Sequence, residues 1–337
     1  MKRKLLFGCG VVILLSLVLL ITVRHYNRTN VVVNGKDNIY IMSTYDYKTT
    51  YSIYNTYNKS VKNVFFRENK NYSDFNIDEI NNTIYYSELG DKKYDIYKAE
   101  LSNESKKATS VLNANYSGDI FDVSDNKIIF RTPTKNRKSY TLGVYSLKDS
   151  TTELWNNKDD DVYIFNFYWD KYNHKIYTIE RSINEMESGQ IPTHKIFKYD
   201  EEGKNKQLLY STDKSINNIS VNNQGDKIIF DATTIENNMP TNKIYLLDLN
   251  DNSEQILIQP NDKFQDINIS SVKYPKFLLS ENGFYFLGTT PKSKIIQELE
   301  GSTPIMSNAI YYYDFDSKKI SMIFGDTDFV INSFKIS

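Results

Sequence analysis

Three histidines are the side chains best suited to metal or proton chemistry in this chain, and none is spaced to chelate an ion with another. His25 lies in a polar stretch behind an apolar run. His174 follows Tyr172-Asn173 at a turn, where a solvated imidazole is the expected state, and His194 ends a long loop. The run Asp159-Asp160-Asp161 can hold a hard cation only if other oxygens converge on it; otherwise it is a solvated turn. Asp314 with Asp316, and Asp248 with Asp251, stand at strand ends, where aspartate bonds its own backbone. Asp78, Asp119 and Asp122 are the nearest candidates for acid–base work, provided the fold brings them to one axis. Trp155 and Trp169 could stack on a sugar, but Trp155 ends an outer strand and Trp169 follows the aromatic run Phe165-Asn166-Phe167-Tyr168, so packing between sheets is the plainer role. The chain has no Gly-x-Ser-x-Gly elbow, phosphate loop or dinucleotide fingerprint. Cys9 is the sole cysteine, so there is neither an intrachain disulfide nor a cysteine metal site. The reading names no catalytic residue, no metal ligand and no cofactor.

The elements that must position these residues recur. Ile39-Tyr40-Ile41, Ile84-Tyr85-Tyr86, Ile128-Ile129-Phe130, Ile176-Tyr177-Thr178, Ile228-Ile229-Phe230 and Phe284-Tyr285-Phe286 are spaced 44 to 56 residues apart. A second signature follows each: Ile53-Tyr54, Ile96-Tyr97, Val144-Tyr145, Ile196-Phe197, Ile244-Tyr245 and Ile310-Tyr311. A repeat of roughly 40–50 residues holding several strands is the mark of propeller blades. The expectation is an all-β, six-bladed β-propeller of four-stranded antiparallel blades. Its blades cover roughly 31–72 plus 329–337, 74–112, 117–155, 161–210, 216–258 and 269–325. The first blade is assigned both chain ends because Val31-Val32-Val33 is short, while Phe329 to Phe334 reads as a strand with no blade of its own. Such closure removes a free sheet edge.

Gly225-Asp226-Lys227-Ile228-Ile229-Phe230, followed by Lys243-Ile244-Tyr245-Leu246-Leu247-Asp248-Leu249, resembles the propeller repeat of TolB and of the prolyl-oligopeptidase propellers. Ser124 to Phe130 with Val144-Tyr145-Ser146-Leu147, and Ile310 to Phe315, are degenerate copies. The resemblance spans roughly 31–337 and implies architecture. Most copies lack the Ser-Pro-Asp-Gly turn of that family, and neither the partner-binding amino-terminal domain of TolB nor a hydrolase domain has room beside six blades, so neither role is implied.

Leu5 to Val23 is an uncharged 19-residue run, long enough at about 1.5 Å per residue to cross a hydrocarbon core. Lys2, Arg3 and Lys4 before it favour a cytoplasmic stub at 1–4, and 24–30 reads as a tether. An uncleaved signal anchor is preferred. A cleaved signal is the second reading. A lipoprotein at Cys9 is the third, with too short an apolar run ahead of the cysteine. The expectation is a single-pass protein of the cell membrane, in contact with lipid through this helix, with its propeller outside the cytoplasm. The first thirty residues hold five of the 41 basic residues and no acid, which leaves 36 basic against 42 acidic residues for the propeller. A mildly acidic domain does not suit nucleic acid.

The gap between first and second signatures is widest in blades four and six, at 20 and 26 residues. Insertions gathered on one face often mark a binding face. Met186 and Ile191 from blade four, and Ile295, Ile296 and Leu299 from blade six, are the candidate partner-binding residues. Lys294 to Glu300 reads as a short amphipathic helix that either caps its neighbour or meets a partner. The expected function is a non-enzymatic binding or scaffold module for a protein or cell-envelope ligand. The alternative is an enzyme acting on a glycan, lactone or peptide in the central funnel.

Overall fold

Each apolar signature is a strand covered on both faces, which is why it lacks the usual alternation with polar residues. The computed structural model describes residues 38–45, 48–68, 74–90, 93–101, 108–112, 116–124, 126–134, 139–155, 161–189, 191–259, 277–280, 282–289, 292–297, 305–325 and 328–336. Blade one holds β1 (Asn38–Tyr45), β2 (Lys48–Asn55) and β3 (Val61–Glu68). Blade two holds β4 (Phe75–Asp78), β5 (Thr83–Leu89), β6 (Tyr94–Glu100) and β7 (Thr109–Ser110). Blade three holds β8 (Phe121–Val123), β9 (Lys127–Pro133), β10 (Tyr140–Ser146) and β11 (Thr152–Leu154). Blade four holds β12 (Val162–Asp170), β13 (Lys175–Ser182), the single-turn helix α1 (Ile183–Glu187), β14 (His194–Asp200) and β15 (Gln207–Thr212). Blade five holds β16 (Ser215–Val221), β17 (Lys227–Glu236), β18 (Met239–Asp248) and β19 (Ser253–Ile258). Blade six holds β20 (Phe277–Ser280), β21 (Gly283–Gly288), β24 (Ala309–Asp314) and β25 (Ile320–Gly325); between them β22 (Ile295–Gln297) and β23 (Ile305–Met306) form a separate pair. The last strand, β26 (Val330–Ile336), pairs with β1 and completes blade one.

The result is six four-stranded antiparallel sheets. Successive residues of each second strand point into different interfaces. Ile128 and Phe130 pack with Tyr85, Ile96 and Leu112 of blade two, while Ile129 between them packs with Ile164, Trp169 and Tyr199 of blade four. Ile228 and Phe230 meet blade four, and Ile229 meets Phe284 and Phe286 of blade six. Phe284 and Phe286 meet blade five, and Tyr285 joins Ile39, Ile41 and Phe334 of blade one. Both tryptophans lie between blades three and four, with Trp155 against Tyr199 at 4.8 Å between ring centroids.

One local expectation changes. Lys294 to Glu300 was expected to be helical, yet Ile295–Gln297 is a strand paired with Ile305–Met306. A seven-residue helix cannot recover its nucleation cost alone, whereas two adjacent isoleucines suit a paired strand. In blade five, β17 and β18 run on to a hairpin at Asn237-Asn238, both at positive φ, the geometry of a two-residue primed turn. Leu5–Val23, Cys9, His25 and Val31–Val33 lie outside the described residues. Among the described residues no helix is long and apolar enough to cross a membrane.

A clasp holds the ring shut. Asn308 of blade six donates from Nδ2 to the Ile331 carbonyl at 2.9 Å and accepts the Ile331 amide at 2.7 Å, satisfying both backbone groups of a fully buried residue of β26. Asn308→Ala strands both groups and is expected to lower the unfolding free energy by about 2–4 kcal/mol. Met322→Ser, at an exposed site on the same blade, should stay within about 0.5 kcal/mol. Chemical denaturation of both variants checks the contrast, and equal midpoints would remove the clasp.

Candidate functional site

The inner strands carry polar side chains because the signatures on the second strands already fill the interfaces. β26, β4, β8, β12 and β16 line an axial cavity of about 1390 Å³. Its rim is built by the turns that follow the inner strands, with Asp78, Glu79 and Ile80 from blade two, Ser124 and Asn126 from blade three, Lys171, Tyr172 and His174 from blade four, and Asn223 from blade five. Ile80 and Tyr172 project from this rim, at 94% and 81% exposure.

Asp122 is the hub. Its Oδ1 accepts from Asn76 Nδ2 at 2.6 Å, from Lys171 Nζ at 3.0 Å and from the Val123 amide at 2.8 Å. Lys335 reaches across from β26, with Nζ 3.6 Å from Asp122 and 3.9 Å from Asp74, and donates to the Phe121 carbonyl at 3.4 Å. Burial alone would raise this carboxyl, but Lys171 and Lys335 outweigh it and hold Asp122 well below the usual carboxylate range. Asp119 is committed too, because Arg131 grips both its oxygens through Nε, at 3.1 Å, and Nη2. Asp78 accepts the Asn81 amide at 3.0 Å and its side-chain nitrogen at 2.7 Å, which shapes the turn. The three acids singled out from the sequence do converge on the cavity, each already engaged.

A second polar chain runs from the cavity wall into the interface of blades four and five. Asn166 Nδ2 donates to Asn218 Oδ1 at 2.7 Å. Asp231 Oδ1 accepts the Asn218 amide at 2.8 Å, and its Oδ2 accepts Asn217 Nδ2 at 3.1 Å. With no cation to offset it, burial pushes the Asp231 carboxyl up to about 7.

The histidines separate. His174 is solvated on the rim, with Nδ1 3.3 Å from Glu201, a residue also held by Lys127 and by Trp169 Nε1 at 2.7 Å. His194 is instead buried, with Nδ1 accepting the Ile216 amide at 2.8 Å, so its proton sits on Nε2. Burial and the nearby Arg181 push it down to about 4. Asp161 bonds Ser182 and the Asn184 amide at 2.7 Å each and starts α1, while Asp159 and Asp160 lie outside the described residues. Asp248, Asp251 and Asp314 each accept a nearby backbone amide in a turn. Among the described residues no group of three or more His, Cys, Asp or Glu is placed to hold a metal ion.

The candidate partner-binding residues stand at the other end of the ring. Met186 lies half-buried on α1, Ile191 is 73% exposed, Ile295 is 50% exposed and Ile296 is half-buried; Leu299 lies outside the described residues. None of these lines the cavity. Lys171, Lys335, Arg131 and Asp231 were missed in the sequence. Arg131 and Asp231 had a signal: each directly follows an apolar signature, where a charge must be buried with a partner.

No protein-family model matches the chain, and no curated protein matches it in sequence. Solved structures match in shape. TolB from Acinetobacter baumannii superposes with a TM-score of 0.59 at 12% identity, over 90% of this chain and 67% of that one. The nidogen/laminin complex gives 0.57 at 10% identity, over 89% and 98%. An oligogalacturonate lyase in complex with manganese gives 0.51 at 10% identity, over 72% of this chain and 62% of the lyase. The chain has a TolB-like six-bladed architecture. At these identities the likeness is one of fold.

Two buried groups give opposing pH slopes. The raised pKa of Asp231 stabilises the fold fully below about pH 3.8, and this is lost as the pH rises through about 7. The depressed pKa of His194 acts in reverse: its contribution is complete above about 6.5 and is lost as the pH falls through about 4. Asp231→Asn should therefore make stability climb more steeply between about pH 4.5 and 7.5, and His194→Asn should make it fall. Thermal unfolding across that range checks both, and a profile unchanged by Asp231→Asn would show that this carboxyl titrates normally.

Proposed function

We propose that this protein is a non-enzymatic binding module, anchored in the cell membrane by Leu5–Val23, with its propeller outside the cytoplasm. In this reading the axial cavity takes a segment of a protein or cell-envelope ligand. The opposite face, with Met186, Ile191, Ile295 and Ile296, supplies a second contact surface. The observation that carries it is the pairing of Asp122 and Asp119, two of the acids that line the cavity. Asp122 is paired with Lys171 and Lys335, and Asp119 with Arg131, so neither carboxylate is free to act as a base. An enzyme that used Asp122 would first have to free it from both lysines.

Removing exposed apolar side chains from the rim costs little stability. Ile80→Ser with Tyr172→Ser, in the full chain purified in detergent, is expected to reduce recovery of envelope partners by about tenfold, a loss of about 1.4 kcal/mol in binding. Deletion of 291–308 tests the opposite face. Undiminished recovery by both variants would overturn the reading. Carbonate extraction that strips the full chain from membranes would overturn the anchor alone.

A further inference from the structure

Two arginines meet Phe165 at the end of blade four that carries α1, and among the described residues only one of them is paired with an acid. Arg131 donates through Nη1 to the Phe165 carbonyl and clasps Asp119 with Nε and Nη2. Asp119 more than offsets the burial of this guanidinium and holds Arg131 above its ordinary value. Arg181 lies cross-strand from Tyr163 and stacks flat on the Phe165 ring, with Cζ 3.8 Å from the centroid. Among the described residues it forms no ion pair, and its buried Nε has no hydrogen-bond partner. A buried donor left unpaired costs about 1–3 kcal/mol, and a buried unpaired charge costs more. Burial and the neighbouring Arg131 pull Arg181 down to about 10. His194 nearby stays neutral, because its Nδ1 is occupied by the Ile216 amide. The cluster of Arg131, Arg181 and Asp119 therefore carries one surplus positive charge.

The geometry points to an oxyanion subsite at Arg181, where the half-buried guanidinium over Phe165 is completed by a carboxylate or phosphate group of a ligand. Arg131 shows the filled form of the same arrangement a few ångströms away, with an arginine fork holding two oxygens of one acid. Stacking on Phe165 fixes the plane of the Arg181 fork before a ligand arrives, so little rotamer freedom is lost on binding. The subsite lies at the opposite end of β13 from the cavity rim. It goes beyond the proposed function and does not depend on the membrane anchor or on the rim residues.

The experiment is thermal unfolding of the full chain in detergent with added glutarate or inorganic phosphate, against chloride at matched ionic strength. One or both oxyanions should raise the midpoint with saturation, as expected for a ligand that binds only the folded state. The two probes separate a carboxylate from a phosphate source. Arg181→Met should unfold at or above the parent temperature in chloride, because an uncompensated charge has gone, and should lose the oxyanion effect. Arg181→Lys keeps the charge without the fork and should weaken the effect by about tenfold. A lower midpoint for Arg181→Met in chloride would mean that an acid of the chain itself already fills the site, and would overturn the proposal. So would an oxyanion effect that is absent in the parent or the same size in Arg181→Met.

Discussion

No blade of this protein can bury its own apolar surface; each is covered by the two beside it. A sheet of four short strands has two faces, and here both are apolar along the second strand. Ile129 belongs to one interface while Ile128 and Phe130 belong to another. Six such interfaces, each joining neighbouring blades, make up the cores. Stability is therefore a property of the ring, and an open ring would leave two large faces in water. This is why the last strand returns to blade one, and why Asn308 spends its whole amide on the backbone of Ile331.

The same constraint determines where polar groups go. With the second strands sealed between blades, the inner strands can turn amides and charges toward the axis, where water or a ligand meets them. Some of those charges pair across blades: Lys335 of blade one and Lys171 of blade four both serve Asp122 of blade three. Such cross-ring pairs tie distant parts of the chain together, in a cavity whose lining acids (Asp74, Asp78, Glu79, Asp119, Asp122, Asp170 and Glu201) outnumber its lysines (Lys127, Lys171 and Lys335). Where balance fails, at Asp231 and Arg181, the groups titrate away from their ordinary values, Asp231 upward and Arg181 downward. These are the positions where burial wins over pairing.

Much of the architecture was legible because a blade is a local object. Outside blade one, its four strands come from one stretch of about fifty residues, so the signatures repeat and can be counted. The closing strand was legible from what remained after Gly325. The short pair at Ile295–Gln297 was misread as helix because its partner, Ile305–Met306, lies across a loop, and apolar spacing over seven residues does not separate the two states. Asp78, Asp119 and Asp122 could be named as residues near an axis, but not as engaged ones. Their partners, Asn81, Arg131, Lys171 and Lys335, range from three residues away to the far end of the chain.

The sequence by itself determined the number of blades, their strand order and which strands are covered on both faces, because these follow from periodic hydrophobicity within short segments. Only the tertiary structure decided the pairing of the cavity charges, the burial of His194, the exposure of Ile80 and Tyr172, and the lack of an acid for Arg181 among the described residues. Those properties depend on which side chains from different blades come within a few ångströms of one another. Coulomb interaction and desolvation act over that distance, and the order of residues along a chain does not record it.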